Sequence, residues 1–451
     1  MVKICQSLAA EVKEVAKKRK EVVNHQKEFR KEGWVLLKPS ETLVLKTADK
    51  EAETVPLHLI KSYHTKLDIL KQFLPNDFLA GIMERRFEER SSSFTILKGR
   101  AAKGGVRNYI IERSAENAMT YLAVRTLIQG KQKKQKLEEA LKEAVAELKE
   151  TNPNFRGFWV LNRLHGVFSV NVDSVDEFQL SENWNKAFRT FGDYASGDEK
   201  LFRYTGYSGF VCLVKSKPPG LGLWHFQLCI CLGNGKPFCV FSCMHSSLDD
   251  NGRTMKCIDV VKEWANLVRE QSGAVPCMLF MDSYYLTNDG QVMMRSMKVP
   301  YSASLNRGRF STICNALGPK LVKSGTHVTA WNKRTKEAVT YKWSEDVNIG
   351  KKFVLGLGYE KREKKKGDNI CAVYDHYKVG FSLCDGFNQV MHGKTWPCKS
   401  KGDLNSGFNY LYTTTLLNTH HLWMDADPVN MMCVLFKLFC TRLAHKMAAS
   451  I

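Results

Sequence analysis

Three short apolar runs between residues 209 and 244 constrain the fold of this chain more than any other feature. They cover residues 209 to 215, 223 to 232 and 237 to 244, and each has the length of a β-strand. Lys217-Pro218-Pro219-Gly220 separates the first two runs, and Gly233-Asn234-Gly235 separates the last two. Both are turn signals, because Pro and Gly supply the backbone angles that tight turns need. The pattern therefore predicts two β-hairpins in series.

A helix and a further strand follow these hairpins. Apolar residues recur at helical spacing over about 256 to 271, and residues 274 to 281 form another apolar run of strand length. Antiparallel strands followed by a right-handed crossover to a further strand give a mixed sheet. This is the element order of an RNase H-like α/β fold.

The flanking regions complete the predicted architecture. We expect an α/β protein with an RNase H-like mixed-sheet core and a basic β-rich insertion, preceded by a helical N-terminal region and followed by a helical C-terminal region. Within the N-terminal part, residues 91 to 114 are expected to be a loop and residues 115 to 150 a helix. The expected regions are a basic helical segment (1–55), a helical DNA-binding or dimerisation-like domain (56–190), the first part of the core (191–306), the basic insertion (307–370), and the second part of the core with C-terminal helices (371–451).

The positive charge of the chain is large and localised. The net charge is +21; residues 1 to 150 carry 30 Lys and Arg against 21 Asp and Glu, and residues 301 to 400 carry 18 against 8. Lys and Arg that neutralise phosphates supply most of the non-specific affinity for nucleic acid, so this excess suggests a polyanionic partner. A Lys-rich helix exposed to water is the alternative for the N-terminal block. There, Lys17-Lys18-Arg19-Lys20 is either a nuclear-import cluster or a polar helix face.

The cysteines and the hydropathy argue against two classes of protein. The 14 cysteines lie mostly inside apolar runs and show no pair of CxxC motifs, so we expect reduced core thiols and no zinc site. No apolar stretch approaches the roughly 20 residues that span a bilayer, so we expect no membrane partner and a location in the cytosol or nucleus.

Three acidic residues are candidate ligands for a metal ion. Asp198 stands in Ser-Gly-Asp-Glu-Lys, Asp282 ends the apolar run 274 to 281, and Asp385 stands in Leu-Cys-Asp-Gly-Phe-Asn-Gln. Mg²⁺ and Mn²⁺ prefer oxygen ligands, and a few carboxylates with a phosphate are enough to bind them. Taken singly, each Asp could instead cap a turn or a helix.

The sequence around these acids resembles the piggyBac family of DNA transposases, which belong to the DDE/DDD superfamily with an RNase H-like core. The resemblance is carried by Asp198-Glu199, by Tyr204-Thr205-Gly206, by the turn from Lys217 to Gly222, and by Asp282-Ser283-Tyr284-Tyr285. It is clear over about 190 to 425 and faint over about 73 to 190. The family's Cys/His-rich zinc module is expected to be absent, because the tail from Cys433 has few such residues.

The third motif departs from the family pattern and leaves two alignments. Aligning on Gln389 makes Asp385 the third ligand and puts Asn388 at the position of an accessory acid. Aligning on Lys378 and Gly380 instead puts Ser382 at the third position and Asp385 at the accessory one. The first alignment keeps the Gln and all three carboxylates, so it is the one we adopt.

The resemblance implies a phosphoryl transferase that cuts and joins DNA strands. Asp198, Asp282 and Asp385 would be catalytic and, with Asn388, would hold two Mg²⁺ or Mn²⁺ ions. The implied reaction is strand cleavage through hairpin ends followed by strand transfer into a TTAA target. Double-stranded DNA and a second copy of the chain in a homodimer are the implied partners, and the nucleus is the implied location. A catalytically inactive DNA-binding protein derived from such an element is the second hypothesis, and a basic structural protein is the third.

Basic residues of the insertion are the candidate DNA-binding groups. Removing a clamp formed by them would lower affinity for any duplex, whereas removing an exposed loop or a nuclear-import signal would not. The candidates are Lys333, Arg334, Lys336, Lys361, Arg362, Lys364, Lys365 and Lys366.

Overall fold

The fold is described from a computed structural model, in which two compact units are distinguished. The first unit comprises residues 1–54, 191–197 and 256–383, and the second comprises 55–190, 198–255 and 384–451. The structure describes residues 2–45, 58–62, 64–88, 96–100, 106–110, 114–133, 135–168, 177–203, 211–213, 221–245, 256–273, 276–318, 325–343, 351–366, 368, 372–392, 406–427 and 434–451.

Helices and strands are each numbered in chain order. The helices are α1 (Val2–Lys31), α2 (Lys66–Phe73), α3 (Asn76–Glu88), α4 (Ala115–Lys131), α5 (Leu137–Thr151), α6 (Phe158–Phe168), α7 (Glu177–Asn185), α8 (Cys257–Glu270), α9 (Asn288–Met297), α10 (Ser311–Leu317), α11 (Ala372–His392), α12 (Ser406–Ala426) and α13 (Phe436–Ala449). The strands are β1 (Trp34–Leu36), β2 (Glu41–Leu45), β3 (Ile96–Arg100), β4 (Val106–Ile110), β5 (Tyr194–Arg203), β6 (Val211–Leu213), β7 (Leu221–Cys231), β8 (Pro237–His245), β9 (Met278–Met281), β10 (Tyr301–Ser304), β11 (His327–Asn332), β12 (Glu337–Trp343), β13 (Lys351–Leu357) and β14 (Tyr359–Glu363).

The first unit is built on a mixed sheet with the strand order β1-β11-β12-β13-β10-β9-β5. β9 is parallel to both β10 and β5, and the remaining pairs are antiparallel. β14 pairs with β2 in a separate ribbon. Side chains from the sheet and from α11 form a buried cluster that includes Phe280, Val354, Val373 and Tyr377. Burial of these apolar groups fixes α11 on the sheet.

The second unit combines antiparallel strands with most of the helices. β7 pairs with β6 and with β8, and β5 is also its neighbour in the sheet. Helix α4 is buried at every position from 117 to 130 and packs against α3, α5, α6 and α13. A helix that is buried all round lies at the centre of its unit, because no face of it meets water.

The fold class is confirmed at the level of a mixed α/β protein with a large mixed sheet and helices. The two hairpins of β6, β7 and β8, the helix α8 and the strand β9 lie where the sequence predicts them. The predicted C-terminal helices are present as α12 and α13. The RNase H-like character of the core and the region boundaries stay predictions.

Two predictions of local structure are wrong. Residues 91 to 114 contain the hairpin of β3 and β4 rather than only a loop. Residues 115 to 150 form two helices rather than one, because Gln132 adopts a left-handed conformation with φ of 51° that ends α4.

The N-terminal region and the basic insertion also differ from the expected pattern. The N-terminal region contributes β1 and β2 in addition to α1, and these strands pair with β11 and β14. Within the insertion, β13 pairs with β10, so its strands extend the same sheet as the core strands of the first unit.

Candidate functional site

The first two candidate acids follow the ends of a parallel strand pair. β5 and β9 are in register from Tyr194 and Met278 to Gly197 and Met281. Asp198 comes directly after Gly197, and Asp282 comes directly after Met281. Each acid is therefore the first residue after the last pair of residues, Gly197 and Met281, that face each other across β5 and β9.

Helix α11 covers one face of these strands. Ser196 on β5 donates a hydrogen bond from its hydroxyl to the carbonyl oxygen of Phe381 at 3.2 Å. A Cβ atom on Gly380 would lie 2.3 Å from the ring of Phe280 on β9, so helix and strand are in direct contact there. Because side chains alternate along a strand, Asp198 lies on the same face of β5 as Ser196.

A second hydrogen bond joins β5 to α11 farther along both elements. The ammonium of Lys200 donates to the carbonyl oxygen of Asn388 at 3.4 Å. Asp198, which is only 8% exposed, stands between Ser196 and Lys200 on the same face of the strand. Asp385 stands between the two bonded positions of the helix, about one turn from each. The segments that carry Asp198 and Asp385 therefore run alongside each other.

Three side chains of α11 belong to the two alternative alignments of the third motif, and they lie in different environments. Asp385 is exposed. Ser382 is exposed as well, and its hydroxyl donates to the carbonyl of Val379 at 2.8 Å within the helix. Asn388 is half-buried, and its Oδ1 is enclosed without a hydrogen-bond partner in the described part of the chain. An enclosed amide oxygen without a donor is an available ligand atom.

Asp282 opens a turn that an arginine holds in place. Its carboxylate accepts the backbone N–H of Tyr284. Arg309 donates from Nη1 to the carbonyl oxygens of Ser283 at 3.2 Å, Tyr284 at 2.9 Å and Leu286 at 3.5 Å. Hydrogen bonds from a charged donor are stronger than neutral ones, so the guanidinium fixes the turn that follows Asp282.

Sequence reasoning missed Arg309. The segment before it, Asn306-Arg307-Gly308, has a recognisable turn signal, since the side chain of Asn306 accepts the backbone N–H of Gly308 at 2.9 Å and that of Arg309 at 3.3 Å. That signal predicts a turn, but it does not reveal which carbonyl groups the arginine reaches.

A buried carboxylate lies in the same unit. Glu337 is 0% exposed, and its oxygens accept from Tyr301 Oη at 2.7 Å, Gln291 Nε2 at 2.9 Å and Arg295 Nη1 at 3.1 Å. Burial, and then the charge of Glu337, raise the pKa of the Tyr301 phenol well above its usual value, so Tyr301 remains a donor. These bonds offset the cost of burying the charge of Glu337.

Glu337 lines a cavity that also has arginine side chains in its wall. The cavity has a volume of about 540 Å³, and its lining includes Arg295, Arg309 and Arg334 together with Glu32 and Glu337. Arg295 is bound to Glu337, whereas Arg309 and Arg334 are exposed. The cavity therefore presents positive charge to solvent next to the turn that follows Asp282.

The first group of candidate DNA-binding residues lies on the turn between β11 and β12. Lys333, Arg334 and Lys336 are all exposed. The side chain of Asn332 shapes this turn by accepting the backbone N–H of Arg334 at 2.9 Å. Lys336 has a left-handed φ of 60°. The three charges are consequently displayed at the tip of a defined hairpin.

The second group begins within a strand. Lys361 and Arg362 belong to β14, and they form ion pairs with Glu41 at 2.7 Å and with Asp368 at 2.7 Å. The alternative that this run is only a loop is therefore wrong for its first residues. The run from 364 to 366 is exposed and shows no ion pair in the described part of the chain. The cations that remain for a partner are thus fewer than the sequence suggests.

The carboxylates do not form a ready-made metal site. No group of three or more His, Cys, Asp or Glu side chains that could hold a metal ion occurs among the residues that the structure describes. The donor chemistry of Asp198, Asp282, Asp385 and Asn388 nevertheless fits a hard cation, since all four offer oxygen. Carboxylates that share a cation repel one another in its absence.

None of the helices, over the described ranges, is long and apolar enough to cross a membrane.

Comparisons with known proteins identify the fold but no sequence family. No protein-family model matches the sequence, and no curated protein matches it. The structure is similar to the cryo-EM structure of a piggyBac transposase synaptic complex with hairpin DNA, with a TM-score of 0.64 and 11% sequence identity. The similarity covers 89% of this chain and 83% of that chain. The chain therefore has a fold like that of piggyBac transposase.

Proposed function

We propose that this chain binds DNA and catalyses metal-dependent strand cleavage and strand transfer, as a transposase-type phosphoryl transferase. The observation that carries the proposal is the position of α11 along β5, with hydrogen bonds at Phe381 and Asn388. The segments of Asp198 and Asp385 run alongside each other there, and Asp282 follows the strand paired with β5. The structural neighbour, a transposase in complex with hairpin DNA, supports DNA as the partner.

Each residue has a definite role in this proposal. Asp198, Asp282 and Asp385 supply carboxylate oxygens for Mg²⁺ or Mn²⁺, and Asn388 supplies its enclosed amide oxygen as an accessory ligand. Two such ions held by these residues would supply activation of the attacking oxygen and stabilisation of the leaving oxygen in an in-line displacement. Arg309 keeps the turn after Asp282 in place. No side chain is then required as a general base.

The exposed cations would hold the duplex. Lys333, Arg334 and Lys336 at the hairpin tip, and the run from 364 to 366 beyond β14, face solvent and are able to contact phosphates. Phosphate contacts position a protein on DNA without reading its sequence. We therefore expect affinity for duplexes of any sequence.

A catalytically inactive DNA-binding protein with the same fold is the second candidate function. The observation that favours it is the lack of a preformed metal-binding group in the described part of the chain. The neutral Asn388 at the accessory position also weakens the negative charge that a cation would meet.

A cleavage assay separates these two functions. The full chain is incubated with a labelled duplex and Mg²⁺, next to Asp282→Asn and a control variant, Asp289→Asn, which removes an exposed carboxylate in the first turn of α9. The transferase cleaves the duplex, Asp282→Asn does not, and Asp289→Asn cleaves like the parent. DNA binding without cleavage by the parent chain would establish the second function. Absence of both binding and cleavage would overturn the proposal.

A further inference from the structure

A buried lysine without an anionic partner lies at the start of α2. Lys66 is 7% exposed, and its ammonium forms no hydrogen bond or ion pair within the part of the chain that the structure describes. Its Nζ lies 4.8 Å from the ring centroid of Trp423 on α12 and 5.6 Å from that of Phe439 on α13. The faces of the two rings attract the cation, but they do not neutralise it.

Two more cations lie beside Lys66. Arg442 and Lys446 are four residues apart on α13, so they share one face of that helix, and both are exposed. Burial lowers the pKa of Lys66 to about 8, and the charges of Arg442 and Lys446 act in the same direction. Phe439, whose ring the ammonium of Lys66 approaches, lies about one and two helical turns before Arg442 and Lys446 on α13, so the three positive groups are within electrostatic range.

The position of Lys66 in its helix adds to the positive potential. Lys66 is the first residue of α2, where the helix dipole is positive and a cation is disfavoured. Asp68 lies in the same turn and within electrostatic range of His64 and Lys446, but its carboxylate accepts the backbone N–H of Thr65 at 2.7 Å as part of the helix cap. The cations thus retain an excess of positive charge around the ammonium of Lys66.

We propose that Lys66, Arg442 and Lys446 form a binding site for a phosphate group. A phosphate has several acceptor oxygens and a negative charge, so it can accept from the ammonium of Lys66, from the guanidinium of Arg442 and from Lys446 together. The helix N-terminus favours an anion for the same reason that it disfavours a cation. The inference that this site contacts a DNA strand rests on the proposed function. The inference that it binds a phosphate group does not.

The reactivity of Lys66 toward a small amine reagent reports on occupancy. The full chain is acetylated at pH 8, and the labelling of each lysine is quantified by mass spectrometry. Three conditions of equal ionic strength are compared: chloride alone, inorganic phosphate, and a DNA duplex. A bound phosphate raises the pKa of Lys66 and removes its reactive neutral form, so labelling should fall by about tenfold or more. Lys71, exposed on the same helix, should keep its labelling rate when phosphate replaces chloride.

Matched variants assign the effect to these residues. Arg442→Gln/Lys446→Gln removes two cations of the site, and Lys71→Gln/Lys437→Gln removes two exposed cations from the same two helices. Protection of Lys66 should disappear in the first pair and persist in the second. If the reagent does not label Lys66 in chloride, phosphate binding is measured by the midpoint of thermal unfolding instead. Phosphate should then raise the midpoint of the parent and of the control pair, but not that of Arg442→Gln/Lys446→Gln.

The outcomes distinguish the source of the phosphate. Protection by the duplex identifies the backbone of a nucleic acid, and protection by inorganic phosphate alone identifies a small phosphate compound. Protection by neither, with no rise of the thermal midpoint, overturns the site, as does protection that survives Arg442→Gln/Lys446→Gln. A chain that binds duplex, but in which neither duplex nor inorganic phosphate protects Lys66, keeps its proposed function and loses this site. A chain that binds no duplex but is protected by phosphate keeps the site and loses the function.

Discussion

At the scale of single residues, the buried carboxylate of Glu337 depends on one cation. Replacing Arg295 with Met leaves that charge in the interior without its ion pair, so Arg295→Met should lower the free energy of unfolding by roughly 3 kcal/mol. The double variant Arg295→Met/Glu337→Met removes both charges, so its free energy of unfolding should fall much less. Urea unfolding of the two variants measures the difference. Equal stability of Arg295→Met and the parent would show that the ion pair between Arg295 and Glu337 does not contribute to stability.

His165 makes the stability of the second unit depend on pH. Its Nδ1 is hydrogen-bonded to Tyr121 Oη at 2.7 Å, and burial lowers the pKa of His165 to about 3, with Arg125 adding to the effect. The unfolded chain binds a proton near pH 6.5 and the folded chain does not, so stability should be lost as pH falls from about 6.5 toward 3.

A variant without the imidazole isolates this contribution. His165→Gln takes up no proton at this position in either state, so its free energy of unfolding should fall less steeply with pH than that of the parent. The difference in slope should approach about 1.4 kcal/mol per pH unit below pH 6. Urea unfolding at pH 7, 6 and 5 gives both slopes, and parallel slopes would contradict the assignment.

Arg309 should affect catalysis more than DNA affinity. Arg309→Gln frees the carbonyls of Ser283 and Tyr284, so the turn after Asp282 loosens. Misplacement of a reacting group by about 1 Å costs up to about 100-fold in rate, so cleavage should slow by about 10- to 100-fold. Lys298→Gln, which removes an exposed cation at the end of α9, is the charge-matched control and should cleave like the parent. An equal loss of cleavage in both variants would mean that only charge matters here.

At the scale of elements, the close approach of β5 and α8 depends on a glycine. A Cβ atom on Gly197 would lie 2.3 Å from the ring of Trp264, so Gly197→Ala forces the strand and the helix apart. Overpacking of this kind lowers the free energy of unfolding by about 1–3 kcal/mol, and the strain lies next to Asp198. Gly318→Ala, with no atom within 4 Å of the new methyl group, should leave stability nearly unchanged. Urea unfolding that ranks the two variants equally would contradict this packing.

The elements that sequence reasoning predicted are those with local signals. Pro- and Gly-containing turn signals stand in the sequence between β6, β7 and β8, and α8 has a continuous apolar face, so neighbouring residues contain the information. β1 and β2 were missed because they are short and their partners, β11 and β14, lie about 300 residues farther along the chain. The break between α4 and α5 was missed because Gln132, rather than a glycine, takes the left-handed conformation.

The candidate site was predicted in part for the same reason. Asp282 was recognisable because a lone acid ends an apolar strand, and it comes directly after β9 in the structure. The packing of α11 on β5 was not foreseeable, since Ser196 and Phe381 are far apart in sequence and carry no pattern that links them. The ion pairs that occupy Lys361 and Arg362 were equally hidden, because a charge count does not show which charges are paired.

At the scale of the whole molecule, the salt dependence of DNA binding should reveal which cations contact phosphate. Lys364→Ala/Lys365→Ala/Lys366→Ala removes charges that form no ion pair with any residue that the structure describes, and it should flatten the slope of log affinity against log salt by about 0.9 for each phosphate that is no longer neutralised. Lys361→Ala/Arg362→Ala removes charges that are already paired with Glu41 and Asp368, so it should change the slope less. Binding across a salt series compares the two variants. A larger effect of the paired residues would contradict this assignment.

Mn²⁺ binding decides whether Asp198, Asp282 and Asp385 bind divalent cations beside a DNA strand. Mn²⁺ is titrated into the full chain with an uncleaved duplex present, and bound ions are counted by electron paramagnetic resonance. We expect two ions per chain, with magnetic coupling between them, because two-metal sites hold their ions about 4 Å apart. Asp282→Asn should lose at least one ion while Asp289→Asn keeps both. No bound Mn²⁺ in the parent chain, or the same number of ions in Asp282→Asn, would contradict a metal site formed by these acids.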